Sequence, residues 1–291
     1  MRARRALLYV PGSDLHKIEK AAGLDVDGII LDLEDGVAES RKDEARGIIA
    51  HALATLDFGR AERLVRINPF YSGRAEADLA AVLPSRPDAV VVPKVDSPLL
   101  LQKVEQILED AEQSAGMPRS SIEIIALIES AKAFVNLPAI CAATPRLSGL
   151  IFGAEDFCAD ASMMRTPGGS ELLYARSMLA LHAAAFELQA IDMVQTNFAD
   201  TERLSAEARQ GADLGFAGKQ VIHPAQVAVV QQVFTPDAAA IAHAQRVIDG
   251  AAEAAEGGRG AFSLDGEMID LPVIKRAQSI LARARAAGLM A

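Results

Sequence analysis

The chain has 291 residues, of which 51% are hydrophobic, 4% aromatic and none Trp, with a formal net charge of −10. Such acidity repels nucleic acid and anionic membrane surfaces at long range, and so few aromatics leave no platform for stacked bases, which argues against nucleic-acid binding. Without an uncharged apolar run of about 18 residues no membrane helix is expected, and with only Cys141 and Cys158 no disulfide framework holds the fold, so a cytoplasmic setting is expected.

In chain order, the basic N-terminus Met1-Arg2-Ala3-Arg4-Arg5 leads into an apolar run at 6–10 that is too short for a signal-peptide core. Similar strand-like runs follow at 28–33, 64–67, 89–92, 122–128, 149–152, 190–194 and 219–222. Helical periodicity fills the gaps at 14–22, 42–55, 74–83, 99–114, 131–142, 171–186, 201–214 and 225–233. Alternation of this kind predicts one closed (β/α)8 TIM-type barrel over residues 1–234, with its active site at the C-terminal strand ends. Residues 235–291 form a C-terminal extension: a helix near 238–255, a Gly-rich joint at 256–260, a hairpin around Asp265-Gly266 and a last helix at 271–287. A mobile flap and an ordinary surface helix on its own barrel both fit that pattern.

Nearly every strand-like run ends in polar residues that its own pattern does not need. Glu129 and Asp156 follow the fifth and sixth runs, and neighbouring barrel strands lie about 4.8 Å apart. Carboxylates so placed can share one hard cation, with Mg²⁺ the natural choice and Mn²⁺ a substitute; each acid could instead cap the following helix. Arg66 lies inside the third run, where a buried guanidinium needs a partner: Glu34, Asp35 or an anionic substrate. Glu34 and Asp35 are expected to orient Arg66 or Lys94 and to bind metal-bound water rather than the metal itself. Lys94 ends the fourth run; a Schiff base there is disfavoured because neighbouring carboxylates stabilise the ammonium. His223 reads as a structural residue, and Met163, Met164 and Arg165 are candidates to line a pocket. Residues 211–219 resemble a P-loop only loosely, and no Gly-x-Gly-x-x-Gly or His-Glu-x-x-His pattern occurs.

Ordered motifs now align with a known group. Leu8-Tyr9-Val10-Pro11-Gly12-Ser13, Pro93-Lys94, Ile128-Glu129-Ser130-Ala131, Ile222-His223-Pro224 and Asp265-Gly266-x-Met268-Ile269-Asp270 are among them. In these the chain resembles, almost end to end, the citrate lyase β-subunit family of the HpcH/HpaI aldolase group, which includes malyl-CoA and citramalyl-CoA lyases.

The resemblance implies that Glu129 and Asp156 ligate Mg²⁺ and that Arg66 binds substrate and enolate. It implies that backbone amides of Ala154, Glu155 and Asp156 take a substrate carboxylate, and that Arg5, Ser13 and Lys17 contact CoA. It also implies that the final segment crosses to a neighbouring subunit and lends Asp270 as acid/base, which requires a homo-oligomer, in relatives a trimer or an assembly of trimers. The implied reaction is Mg²⁺-dependent Claisen cleavage of a β-hydroxyacyl thioester to acetyl-CoA, or a homologue, and a 2-oxo acid. Two alternatives remain open: a citrate lyase β subunit working on an acyl-carrier-protein thioester beside partner subunits, and a malyl-CoA-type thioesterase.

Overall fold

The structure, a computed structural model, describes residues 2–290 and divides into two compact units, Arg4–Gln231 and residues 232–290 with 2–3. In the first, eight parallel strands close on themselves: β1 (Ala6–Pro11), β2 (Gly28–Asp32), β3 (Glu62–Arg66), β4 (Ala89–Val92), β5 (Glu123–Ile128), β6 (Leu147–Phe152), β7 (Gln189–Asp192) and β8 (Gly218–Val221). Strand β8 returns to β1 with Gln220 opposite Leu7, so no sheet edge stays open. The helices of this unit are α1 (Leu15–Ala22), α2 (Lys42–Thr55), α3 (Ala75–Val82), α4 (Pro98–Ser114), α5 (Ala131–Val135), α6 (Leu137–Cys141), α7 (Ala154–Asp160), α8 (Leu173–Ala185), α9 (Thr201–Leu214) and α10 (Pro224–Phe234), the last of which runs past the unit's boundary. This is the (β/α)8 barrel expected from the alternation.

The strands read as near-continuous apolar runs because both of their faces are covered. Leu7, Ile30, Leu64, Val91, Ile125, Leu127, Ile151 and Ile191 form the packed interior. Beneath them Arg4 closes the N-terminal end, its Nη2 2.7 Å from Glu62 Oε1 and 2.6 Å from Glu123 Oε2. Two helical expectations need correction. The helix expected at 131–142 is two short ones joined at Asn136, because Pro138 has no N–H to continue the ladder. Helix α7 was not foreseen at all: Gly153 ends β6, and Glu155 and Asp156 fit the positive end of a new helix.

In the second unit, α11 (Ala238–Glu256) precedes an antiparallel pair, β9 (Phe262–Leu264) and β10 (Glu267–Ile269), and then α12 (Leu271–Ala286). Asp265 and Gly266 join the strands at φ 53° and 86°, the left-handed conformations that a two-residue Asp-Gly hairpin demands. Ala244, Val247, Ile269, Ala277 and Leu281 pack as its core. Asp270 caps α12, its Oδ1 accepting from the Val273 N–H at 3.3 Å. Among the described residues no helix is long and apolar enough to cross a membrane.

Candidate active site

Strand register brings the first functional pair together. Arg66 ends β3 directly opposite Asp32, which ends β2. The guanidinium Nε and Nη2 donate to Asp32 Oδ1 and Oδ2, both at 2.7 Å, while Nη1 stands 2.8 Å from Glu34 Oε2. Its carbon also lies 4.9 Å from the centre of the Tyr9 ring. Burial opposes the charge, yet Asp32, Tyr9 and Glu34 hold the Arg66 pKa well above its usual value. The sequence expectation named Glu34 and Asp35 as partners. Asp32 is the principal one, whereas Asp35 is exposed and 3.6 Å away. The loop after β2 is tied from below by Lys42 Nζ, which donates to the Leu33 and Glu34 carbonyls at 2.9 Å and to Asn68 Oδ1 at 2.7 Å.

Glu129 follows β5 and is 2% exposed. Its Oε1 accepts from the Lys94 N–H at 2.7 Å, and its Oε2 lies 3.6 Å from Lys94 Nζ. The same ammonium makes a short ion pair with Asp156 Oδ1. Asp156 does not end a strand, as expected, but sits in the first turn of α7, beyond Gly153. Burial pushes the Glu129 pKa up to about 8 against the pull of Lys94, and burial likewise takes Glu34 up to about 7. Burial disfavours the Lys94 ammonium, but its bond to Asp156 and the charge of Glu129 raise its pKa overall. So paired, this lysine is a poor nucleophile. Its ion-pair partners are Glu129 and Asp156, while Glu34, one of the two acids expected to orient Arg66 or Lys94, pairs with Arg66.

A cavity of about 380 Å³ opens over these groups. Tyr9, Asp32, Arg66, Glu129, Asp156 and Gln220 supply its polar lining, and Leu127, Phe152, Val194 and Ile222 its apolar walls. Ala154 and Glu155 also line it. The amides of Ala154, Glu155 and Asp156 belong to the first turn of α7, where N–H groups have no carbonyl of their own helix to bond. Among the described residues no three His, Cys, Asp or Glu side chains converge as a metal cage. Two carboxylates that already share one cation, one of them short of its charge for want of solvent, suit a hard divalent ion completed by water and substrate oxygens. The space beside Glu129 is kept by Gly153: a Cβ there would stand 2.6 Å from Glu129 Cβ and 2.7 Å from Oε2. Gly153→Ala is therefore expected to push this carboxylate aside and weaken Mn²⁺ binding at least about tenfold. Isothermal titration would measure it.

Several expected residues lie elsewhere. Arg5 precedes β1 at the N-terminal end of the barrel, opposite the mouth, and its Nη2 donates to Asp27 Oδ1 at 2.7 Å. A contact with CoA at this chain's mouth is thus ruled out for Arg5, because parallel strands present only their C-terminal ends there. Ser13 and Lys17, after β1, are on the mouth side but outside the cavity lining, and Lys17 pairs with Asp14 at 3.3 Å. Met163, Met164 and Arg165 do not line the cavity: Met164 is exposed, and Arg165 is held by Glu155 at 3.0 Å and Glu171 at 3.1 Å. His223 stacks on Phe198, with ring centres 4.6 Å apart. Sequence reasoning missed Tyr9, Asp32 and Gln220. The signal was the period of two: Tyr9 follows inward Leu7, and Asp32 follows inward Ile30.

An aspartate-clamped arginine and two cation-sharing carboxylates at the C-terminal mouth of a (β/α)8 barrel stand where barrel enzymes carry their catalytic groups, which places the chain among the barrel enzymes. The chain belongs to the HpcH/HpaI aldolase/citrate lyase family, whose sequence profile spans residues 5–224. It is 41% identical to the mitochondrial citramalyl-CoA lyase of Rattus norvegicus, over 96% of this chain and 85% of that protein. It is 37% identical to the citrate lyase subunit beta of Leuconostoc mesenteroides subsp. cremoris, over 98% of this chain and 94% of that one. Among solved structures, CitE of Mycobacterium tuberculosis in complex with magnesium, acetoacetate and coenzyme A matches with a TM-score of 0.77 and 33% identity, covering 97% of this chain and 98% of that one.

Proposed function

We propose that the chain is a Mg²⁺-dependent carbon–carbon lyase that cleaves a β-hydroxyacyl-CoA thioester into acetyl-CoA, or a homologue, and a 2-oxo acid. The observation that carries this reading is the convergence of Arg66, Glu129 and Asp156 on one apolar-walled cavity. Family membership and the relatives' names support it. Glu129 and Asp156 would hold the ion. When bound it supplies Lewis acidity to the substrate's hydroxyl and carboxylate oxygens.

The chain's own groups do the rest. As the bond between the thioester α-carbon and the carbinol carbon breaks, its electrons move onto the thioester carbonyl, while the carbinol hydroxyl gives its proton to solvent water and its oxygen becomes the 2-oxo group. The proton later added at the enolate carbon, itself renewed from solvent, balances that loss. Arg66 faces the oxygen that gains charge; Asp32 accepts from two of its N–H groups and Glu34 pairs with it by charge, so the fork still has N–H groups to give. The first-turn amides of Ala154, Glu155 and Asp156 receive the substrate carboxylate. Asp270, lent by a neighbouring copy of the chain, protonates the enolate carbon, so the working form is a homo-oligomer, a trimer by family resemblance. Ser13 and Lys17 flank the path of the CoA moiety. Free, buried Cys141 and Cys158 accord with a cytoplasmic setting.

The cavity walls favour a substrate of the citramalyl type. Among the described residues that line the cavity, Arg66 is the only cationic one, and it is already committed to two carboxylates. A second substrate carboxylate, as in a citryl group, would enter without a counter-charge, whereas a methyl group meets Leu127, Val194 and Ile222. The deciding experiment is turnover of citramalyl-, malyl- and citryl-CoA with Mg²⁺ and with EDTA. Citramalyl-CoA should have the highest kcat/KM, release pyruvate and fall silent in EDTA. Free thiol without a 2-oxo acid would identify a thioesterase instead. Activity only with an acyl-carrier-protein thioester and added subunits would identify a citrate lyase component.

A further inference from the structure

One cation already sits where the two carboxylates meet. Lys94 reaches them with both halves of the residue: its N–H donates to Glu129 Oε1 at 2.7 Å, while its Nζ pairs with Asp156 Oδ1 and lies 3.6 Å from Glu129 Oε2. To do this the backbone takes φ 53°, the left-handed region that a lysine adopts only at a cost. The N–H occupies one oxygen of Glu129 and leaves the other facing the ammonium. We propose that Lys94 is a resident counter-cation that a divalent metal ion must displace, so that metal binding here exchanges an ammonium for the metal. The inference rests on Glu129 and Asp156 being the metal ligands. A divalent ion bound to Asp156 would come within a few ångströms of the ammonium, and like charges that close repel in a partly buried site. Glu34, whose charge interacts with Lys94, offers the displaced side chain a second partner.

Such an exchange has two consequences that activity alone does not report. It keeps the carboxylates from repelling one another before metal arrives, and it makes the site bind metal less tightly than its ligands alone would allow. The test is Mn²⁺ titration by calorimetry and electron paramagnetic resonance, at one fixed, mildly alkaline pH, for wild type, Lys94→Met and Lys94→Gln. Thermal melts of the EDTA-treated proteins accompany it. Both variants should bind Mn²⁺ about tenfold tighter or more, the scale on which one neighbouring charge shifts an ionic equilibrium. Their metal-free melting temperatures should fall and recover at saturating Mn²⁺. Unchanged or weaker Mn²⁺ binding in the variants, with wild type binding normally, would overturn the exchange alone. A metal-free variant that fails to fold but binds Mn²⁺ and refolds on its addition still supports it. A wild type that binds no Mn²⁺ would overturn the ligand assignment, and the exchange with it.

Discussion

Arg66→Lys is expected to lower kcat for carbon–carbon cleavage by about 10²–10³ while leaving the barrel folded. Lysine keeps the positive charge between Asp32 and Glu34, so neither carboxylate is left unpaired in the mouth. It lacks the planar fork, however, and cannot both chelate Asp32 through two parallel bonds and direct a further N–H at an enolate oxygen. The effect should appear in kcat and kcat/KM together, because the lost interaction strengthens only as the enolate charge develops. Arg66→Met serves as the contrast. It strands Asp32 and Glu34 and should cost about 3–5 kcal/mol of stability on top of the lost turnover. Steady-state kinetics with urea melts separates the two. A lysine variant with wild-type kcat would remove Arg66 from the chemistry.

Glu129→Gln is expected to abolish Mn²⁺ binding and to reduce turnover by more than about 10³, and yet to stabilise the metal-free protein at alkaline pH. The sign follows from burial. A carboxyl group raised from 4.5 to about 8 on folding holds its proton more tightly in the native state than in the unfolded one. Its stabilising contribution is therefore complete below about 4.5 and is lost as pH climbs toward 8, by on the order of 1.4 kcal/mol per unit at most. Glutamine has no proton to lose and can still accept the Lys94 N–H. The melting temperature of the metal-free variant should thus fall less steeply between those limits than that of wild type. Glu34, raised to about 7, leaves a residual slope of the same sign. Equal slopes in the two proteins would mean that Glu129 does not carry the burial strain assigned to it.

Much of the site was legible from single strands. Glu129 and Lys94 stand where an apolar run stops and Arg66 interrupts one near its end, and a barrel turns those positions into places at the mouth. Asp156 was found for the right chemistry but with the wrong local structure, because Gly153 hides the step from strand β6 to helix α7. Arg5 failed because a motif shared along the chain says nothing about which end of the barrel a residue occupies. Asp32 was overlooked among three acids in four positions, although strand parity marks it as the one facing inward.

Composition, strand-and-helix alternation and the polar residues after each strand were sufficient by themselves to determine a (β/α)8 barrel and the types of group at its mouth. Those are properties of short stretches, set by burial and by a period of two or about 3.6. Only the tertiary structure decided the pairings: Arg66 with Asp32 rather than Asp35, and Lys94 between Glu129 and Asp156. These contacts join residues 34 to 62 positions apart, and their geometry comes from barrel register and the start of one short helix after Gly153, which no local pattern encodes.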